Sequence, residues 1–334
     1  MARAVCADGT NASFAVGGYH GAIGTVTPGS EATPTVIVDC DPGIDDALAL
    51  LMLVAAQQAG SIAIEAVFTV AGNVSAEQTA HNAVQVLAST GADDIAVFRG
   101  ASRPLGDGGP ALPAASIHGE DGLGGLSAPT LDAAEISYDP GKDLAERIGS
   151  CSQPLWLFCS GPLTNLALAL KADAKAVHRA ARVVVMGGAF KDPTGNITPW
   201  AEFNFHADPV AADIVCRSGL SLELVPLDIT HRVGFASEDA SPLTPFAGEL
   251  LQRSVQLHER ALGLPGALLH DAVAAAVLLR PVLASRVARS LAVTTSGPRS
   301  GHLSVQENVS DDASRVIDRI DVQGTKQLIQ ALLT

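Results

Sequence analysis

Short β-branched runs alternate along this chain with Ala- and Leu-rich stretches of helical length. The runs that predict strands lie at residues 36–38, 62–70, 155–158, 183–186, 222–225 and 291–294, and the predicted helices at 45–58, 76–89, 165–171 and 209–217. Strands that alternate with helices indicate βαβ units, whose strands run parallel. The sequence therefore predicts an α/β fold, a single large domain with a mainly parallel, Rossmann-like open sheet flanked by helices.

The first 34 residues have a different texture from the rest of the chain. Residues 1–34 are rich in Gly, Ala, Ser and Thr and show no sustained hydrophobic period. We interpret this segment as a flexible N-terminal leader without chemistry. No internal repeat and no Pro-rich linker divides residues 35–334, so we expect them to form one domain.

The net charge limits which molecules the protein is expected to bind, and the cysteines indicate the cellular compartment. The formal net charge is −14, from 35 acidic and 21 basic residues. Such a field repels phosphate backbones and anionic lipids, which argues against nucleic acid and membrane partners. The five cysteines are scattered without a CxxC pair, which is typical of reduced thiols in a cytoplasmic protein. The longest apolar run, 47–56, is far shorter than the roughly 20 residues of a membrane span.

Four carboxylates lie within eight residues at the end of the first predicted strand. Asp39 and Asp41 follow an apolar run, a Pro-Gly turn comes next, and Asp45 and Asp46 open a helix. Acidic residues in a first helical turn also serve as caps and complement the helix dipole. Four carboxylates this close, however, repel one another unless a cation is present. Oxygen ligands of this kind favour Ca²⁺ or Mg²⁺.

The segment 39–47, DCDPGIDDA, resembles the N-terminal signature of the inosine–uridine-preferring nucleoside hydrolases. The family usually has Thr where this chain has Cys40. Four later segments are similar to family elements in the same order: AGNVS at 71–75, SGPLTNLA at 160–167, GNITPWAEFN at 195–204 and LHDA at 269–272. The resemblance covers roughly residues 35–332. It implies the nucleoside hydrolase fold and calcium-dependent hydrolysis of the N-glycosidic bond of ribonucleosides, giving ribose and free nucleobase in nucleoside salvage.

The resemblance also implies roles for individual residues. Asp41 is expected to be the general base, and Asp39 to orient its neighbours from behind the site. The expected ligands of Ca²⁺ are Asp41, Asp46, Asp271 and the backbone carbonyl of Ser160. The residues expected to hold the ribose are Asp45, Asn73, Asn196, Glu202 and Asn204.

The leaving base is expected to meet histidines. His270 matches the family's base-facing residue, and we expect its side chain to titrate near neutral pH and to donate a proton. His118, in HGEDGLGG at 118–125, resembles a family loop that closes over the substrate. Residues 256–269 contain no aromatic side chain where family members often place tyrosines. Trp200 is a candidate for base stacking in their place, or a packed or exposed residue, and base preference stays open.

Two other classes of function compete with this interpretation. A haloacid-dehalogenase-like phosphatase also has an Asp-x-Asp after its first strand, although the following Pro-Gly-Ile-Asp-Asp fits that family poorly. A calcium-dependent nucleoside-binding module would keep the pocket without turnover, since a fold does not establish activity. The family resemblance further implies a homodimer or homotetramer. No phosphate-loop or GxGxxG pattern follows a strand, so no organic cofactor is expected.

Overall fold

The computed structural model describes residues 33–106, 114–126, 135–307 and 314–334. These residues belong to one compact unit. Residues 1–32 of the predicted leader lie outside the described chain. No helix within the described ranges is both long and apolar enough to cross a membrane.

Strands and helices alternate over most of the described chain. The strands are β1 (Thr35–Cys40), β2 (Ala63–Thr69), β3 (Val97–Arg99), β4 (Glu135–Ile136), β5 (Leu155–Cys159), β6 (Arg182–Met186), β7 (Leu222–Val225), β8 (Gly234–Phe235), β9 (Ala267–Leu268), β10 (Ala284–Val293), β11 (Leu303–Gln306) and β12 (Ser314–Ile320). The helices are α1 (Ile44–Gln58), α2 (Ala76–Ala88), α3 (Ala115–His118), α4 (Pro140–Ser150), α5 (Thr164–Val177), α6 (Phe203–Ala207), α7 (Pro209–Cys216), α8 (Leu227–Thr230), α9 (Pro245–Leu262), α10 (His270–Leu279) and α11 (Val322–Leu333).

Ten of these strands form one sheet in the order β11-β10-β12-β7-β6-β5-β1-β2-β3-β4. The eight strands from β12 to β4 pair in parallel. Only β10 runs antiparallel to its two neighbours. The prediction of a mainly parallel open sheet is therefore confirmed, and the predicted run at 291–294 proves to be the end of the antiparallel strand β10. The pair β8 and β9 forms a separate antiparallel ribbon.

Helices cover both faces of the sheet. Because side chains alternate along a strand, Val36 and Val38 of β1 pack with α1, α2, α9, α10 and α11, while Ile37 packs with α4, α5 and α7. Helix α1 is buried along most of its length, since it lies between the sheet and α10 and α11. Each buried leucine of such a helix stabilises the fold by about 1.5–3 kcal/mol.

The chain reverses its direction across the sheet at β1. From β1 it proceeds to β2, β3 and β4 on one side, and it then returns to β5, β6 and β7 on the other. In open α/β sheets this reversal leaves a crevice beyond the carboxyl ends of the strands. The acidic segment directly after β1 therefore lies at the position where such folds bind their ligands.

Candidate active site

A cavity of about 210 Å³ opens at the carboxyl ends of the central strands. Its walls come from the segments that follow β1, β2, β5, β6 and β7, together with α3, α9 and α10. Ten of the sequence-predicted residues lie in these walls: Asp41, Asp45, Asn73, His118, Ser160, Asn196, Glu202, Asn204, His270 and Asp271.

Three carboxylates form the innermost group. Asp45 and Asp46 stand in the first turn of α1, Asp271 stands in the first turn of α10, and one oxygen atom of each lies within 4.8 Å of the others. Sequence reasoning placed Asp45 at the ribose, whereas the structure brings its carboxylate into this group. The three side chains are all buried. Two helix N-termini therefore meet over one small volume that is rich in carboxylate oxygen.

Asp41 lies beside this group rather than in it. Its Oδ2 accepts a hydrogen bond of 2.7 Å from the backbone N–H of Asn73, and its Oδ1 is buried and accepts none from the described chain. A Cβ atom on either Gly72 or Gly161 would clash with this carboxylate. The two glycines thus leave room for Asp41, and one of its oxygens remains available for a ligand.

Polar neighbours fix the orientation of Asp46. Its Oδ1 accepts a hydrogen bond of 2.7 Å from the Ser160 hydroxyl. Its Oδ2 accepts hydrogen bonds from the backbone N–H of Gly43 at 3.1 Å and from Nδ2 of Asn73 at 3.3 Å. Asn73 therefore touches both Asp41 and Asp46, so it organises the acidic cluster as well as lining the cavity.

Burial and mutual repulsion disturb the titration of these carboxyls. Burial and the charge of Asp46 raise the pKa of Asp41 well above its usual range. Burial and the neighbouring aspartates do the same to the pKa of Asp271, and burial with the charge of Asp45 raises the pKa of Asp46 to about 7. Asp45 differs: burial raises its pKa, but His118 and His270 together with hydrogen bonds from Asp271 and the backbone outweigh burial and hold its pKa below the usual range. A cation would relieve the repulsion, and a donor set made only of oxygen fits Ca²⁺ or Mg²⁺.

The carbonyl of Ser160 faces the same region. It accepts a hydrogen bond of 2.7 Å from Nδ2 of Asn204. A carbonyl oxygen has two lone pairs, so this bond leaves one for a further ligand. The side chain of Asn204 is thereby held close to the position predicted for the ion.

Glu202 caps the short helix α6 and also lines the cavity. Its Oε1 accepts a hydrogen bond of 2.7 Å from the backbone N–H of Asn204, and its Oε2 accepts bonds of 3.0 Å from those of Gly188 and Phe205. Burial raises the pKa of Glu202 to about 7. The three backbone donors hold the carboxylate in one orientation. Asn196, by contrast, lies exposed on the loop that precedes α6.

His270 is held by the segment that follows β7. Its Nδ1 lies 2.7 Å from the hydroxyl of Thr230, and its ring centroid lies 5.3 Å from that of His231. Burial lowers the pKa of His270 to about 3. The expectation that this side chain titrates near neutral pH is therefore wrong, because the apolar surroundings disfavour the imidazolium. At neutral pH the ring is uncharged and retains one N–H.

His118 joins the glycine-rich segment to the acidic cluster. Its Nδ1 accepts a hydrogen bond of 3.1 Å from the backbone N–H of Ile44 and lies 3.8 Å from Oδ1 of Asp45. Burial lowers its pKa. Since Nδ1 is an acceptor in this contact, the proton of the neutral ring resides on Nε2.

Asp39 and Trp200 lie apart from the cavity. Oδ1 of Asp39 accepts a hydrogen bond of 2.8 Å from Nδ2 of Asn165, behind the site, and burial raises the pKa of Asp39 to about 7. The guanidinium of Arg299 lies 5.1 Å from the ring centroid of Trp200. Because Trp200 is not among the cavity-lining residues, the structure does not support its predicted stacking on the base.

Sequence reasoning missed part of the wall opposite the acidic cluster. His231 and His258 line the cavity there, together with apolar side chains. His231 follows the predicted strand at 222–225, so the same search for polar residues after strands identifies it. His258 lies inside the amphipathic helix α9, where nothing in its spacing separates it from a core residue. The apolar members of this wall are Ile117, Leu262 and Leu268.

Comparisons with known proteins agree with this geometry. The family model described as inosine-uridine preferring nucleoside hydrolase matches residues 36–327. The pyrimidine-specific ribonucleoside hydrolase RihA of Citrobacter koseri is 33% identical over 307 residues, covering 88% of this chain and 96% of that protein. RihA of Salmonella agona is 36% identical over 270 residues, covering 78% and 85%.

Solved structures show the same relationship. A plant nucleoside hydrolase, PpNRh1, superposes with a TM-score of 0.83 at 26% identity, covering 91% of this chain and 99% of its own. The purine-preferring ribonucleoside hydrolase from Gardnerella vaginalis gives a TM-score of 0.82 at 26% identity, covering 90% and 98%. The protein is thus an enzyme of the ribonucleoside hydrolase class, which cleaves N-glycosidic bonds with water. Within that class, the chain belongs to the inosine–uridine-preferring nucleoside hydrolase family.

Proposed function

We propose that Ca²⁺ is the ion of this hydrolase and that Asp41, Asp46, Asp271 and the carbonyl of Ser160 hold it. The observation that carries the proposal is the buried carboxylate group at the N-termini of α1 and α10. Beside it lies Oδ1 of Asp41, which has no hydrogen-bond partner among the described residues. Asp45 contributes negative charge at the same place. Calcium accepts six to eight oxygen ligands in flexible geometry, which suits carboxylate and carbonyl oxygens delivered by three separate segments.

The reaction consumes one water molecule and one nucleoside. A bound calcium ion supplies positive charge that makes a nearby water molecule more acidic and orients ribose hydroxyls. Asp41 accepts the proton of the attacking water as general base. The oxygen bonds to C1′ of the ribose as the bond from C1′ to the base nitrogen breaks. The surrounding carboxylates stabilise the positive charge that develops on the sugar, as in other glycoside hydrolysis.

Ribose recognition falls to the polar wall of the cavity. Asp45, Glu202 and Asn204 are buried, and their carboxylate and amide groups can accept from and donate to sugar hydroxyls. Asn73 and Asn196 complete this set from two other segments. The network of backbone and amide donors described above holds these groups in place before the substrate enters, which is the arrangement that favours a rate increase.

The departing base faces the histidines that line the cavity, His118, His231, His258 and His270. His270 is neutral at neutral pH, so its N–H donates a hydrogen bond to the leaving nitrogen or to a base oxygen. The His231 ring beside it and His118 line the same cavity. A hydrogen bond from the neutral imidazole stabilises the base as it departs with the electron pair of the C1′–N bond. The base then takes its proton from solvent, to which Asp41 returns the proton it accepted from water.

We further propose that pyrimidine ribonucleosides are the preferred substrates and that the enzyme acts in nucleoside salvage. The relatives at 33–36% identity bear the description pyrimidine-specific, which supports the preference, whereas the structural neighbour from Gardnerella is described as purine-preferring. Free thiols at Cys40, Cys151, Cys159 and Cys216 support a reducing, cytoplasmic location. A homodimer or homotetramer is proposed from the family resemblance, and light scattering measures it.

The test is release of ribose and free base from uridine, cytidine, inosine and adenosine. One set of reactions contains EDTA, a second has calcium restored, and a third has magnesium in its place. Release that EDTA abolishes and calcium restores, with uridine and cytidine fastest, is the expected outcome. Restoration by magnesium but not calcium would reject calcium as the ion, and faster turnover of inosine would reject the pyrimidine preference. Tight nucleoside binding without release would favour a non-catalytic binding module.

A further inference from the structure

The loop before α6 carries part of the cavity wall. We define the ribose loop as residues 190–201, in which Asn196 and Ile197 line the cavity. A tight turn shapes its outer part, where the N–H of Gly195 donates to the carbonyl of Pro199 at 3.2 Å and the N–H of Ile197 to that of Ala201 at 3.2 Å. The position of Asn196 therefore depends on what holds the two ends of this loop.

Both ends meet one neighbouring feature, the turn between β10 and β11. We define this hairpin tip as residues 294–302. Ala201 forms a β-bridge with His302, and the carbonyl of Ser300 lies 3.3 Å from Nδ1 of His206 in α6. Gly301 has a φ of +83° and packs against the backbone of His206 so closely that a Cβ atom would clash. The hairpin tip is thus fitted to the base of the ribose loop.

Arg299 of the hairpin tip connects the two limbs of the ribose loop. Its Nη2 donates to Oδ2 of Asp192 at 2.7 Å, and its guanidinium carbon lies 5.1 Å from the ring centroid of Trp200. Asp192 precedes Asn196 by four residues, and Trp200 follows it by four. One planar cation therefore spans the segment that presents Asn196 and closes it into a loop of fixed width.

We propose that Arg299 is a positioning residue for substrate binding, which acts by holding Asn196 against the ribose. The inference rests on the proposed role of Asn196 in ribose recognition. The same geometry gives Trp200 a function other than base stacking, because its ring is the platform on which the guanidinium lies. Ion pairs and cation–π contacts at half-exposed positions are individually weak, so the effect belongs to loop geometry and substrate affinity rather than to folding.

The test compares KM and kcat for uridine hydrolysis, or for whichever nucleoside is turned over best. Arg299→Ala is expected to raise KM about five- to tenfold and to change kcat by less than about twofold, which corresponds to loss of uniform binding. Asp192→Asn removes the same ion pair from the loop side and must shift KM in the same direction. The matched control is Arg289→Ala, an arginine of the same hairpin that pairs with Glu307, and its KM should equal that of the wild type.

A double-mutant cycle with Asn196→Ala tests whether Arg299→Ala raises KM through Asn196. If Arg299 acts through Asn196, adding Arg299→Ala to Asn196→Ala raises KM no further. Additive effects would overturn the proposal, as would an unchanged KM in Arg299→Ala when Asn196→Ala alone raises it. An unchanged KM in Asn196→Ala would instead reject the ribose role of Asn196 and the inference with it.

Trp200 provides a readout that does not depend on turnover. The chain contains two tryptophans, so a Trp156→Phe background isolates the fluorescence of Trp200. Arg299→Ala in this background is expected to increase acrylamide quenching of Trp200, because the guanidinium no longer covers the ring, and bound nucleoside should reduce it. Quenching identical in the two variants would show that Arg299 does not hold the loop and would overturn the proposal.

Discussion

The carboxylate of Asp41 is held in place by its neighbours and is the proposed proton acceptor of the reaction. Gly72 and Gly161 leave room for its carboxylate, and the N–H of Asn73 fixes one oxygen while the other stays open. Substitution by asparagine retains the shape of the side chain but removes the proton acceptor. We expect Asp41→Asn to lower kcat about 10²- to 10⁴-fold, the range associated with general acid–base groups.

Ribose release in single-turnover and steady-state assays measures this loss. Because Asp41 is also a proposed calcium ligand, calorimetric titration with calcium must accompany the assay to show whether the ion still binds. Turnover within tenfold of the wild type, at saturating calcium, would remove Asp41 from the role of general base.

Asp39 supplies a prediction about stability rather than turnover. Burial raises its pKa from 3.8 to about 7. Between these values the unfolded chain has released the proton and the folded chain keeps it, so this residue lowers the stability of the fold as pH rises through the window. Asp39→Asn has no carboxyl group at this position, so it does not suffer this loss of folding stability. We expect its stability relative to the wild type to increase from about pH 4 to about pH 7 and then to level off, by at most about 4 kcal/mol in all.

Thermal or urea unfolding at a series of pH values, in the same calcium concentration, measures this difference. A constant difference between Asp39→Asn and the wild type across the series would show that the Asp39 carboxyl does not carry a raised pKa. The hydrogen bond from Asn165 is compatible with both side chains, since each presents an oxygen acceptor.

The sequence identified the residues of the site more readily than their states. Asp41, Asp46 and Asp271 could be named because motif residues occur in a fixed order after strands. The neutral state of His270 and the partnership of Asp39 with Asn165 could not, because both result from burial by segments far away in the chain. Asp45 illustrates the same limit, since only the meeting of α1 with α10 brings its carboxylate to Asp271.

At the scale of elements, the short helix α8 positions a residue of another helix. Thr230, the last residue of α8, contacts Nδ1 of His270 at the start of α10. Thr230→Val keeps the volume and removes the hydrogen bond. We expect kcat to fall about tenfold, because one lost hydrogen bond is worth about 1 kcal/mol and the imidazole is then free to adopt the wrong tautomer.

Thr325→Val is the matched control for this substitution. Thr325 is equally buried, and its hydroxyl has no hydrogen-bond partner in the described chain, so turnover should be unchanged. If Thr230→Val matches the control in kcat while the fold remains intact, the tautomer and orientation of His270 do not depend on Thr230.

Whether a strand or helix could be predicted from the sequence depended on its length and its burial. The runs that became β1, β2, β5, β6 and β7 are buried over most of their length and therefore read as largely apolar segments. Strands β3 and β4 have three and two residues, too few for any period to be visible. Helix α9 was not predicted as a helix, although its buried residues Ala247, Leu250, Leu251 and Val255 have helical spacing.

At the scale of the whole molecule, every proposed site residue lies between residues 41 and 271, C-terminal to the predicted leader. The family match also begins at residue 36. We therefore propose that residues 35–334 form the hydrolase domain and expect a chain that lacks residues 1–32 to keep the kcat and KM of the 334-residue chain. Ribose release by the two forms, purified side by side, measures this. A marked loss of kcat, with unchanged unfolding behaviour, would assign the leader a part in catalysis.

The central place of β1 has a consequence for biosynthesis. Thr35 pairs with Ala63 on one side and with Leu155 on the other, so a growing chain emerging from the ribosome carries β1 with one open edge until β5 has been made. Open apolar edges invite pairing with other chains, and parallel sheets close slowly. Asp271 is translated later still. The edge of β1 therefore stays open until Leu155–Cys159 has been made, and the acidic cluster is complete only after Asp271 has been added.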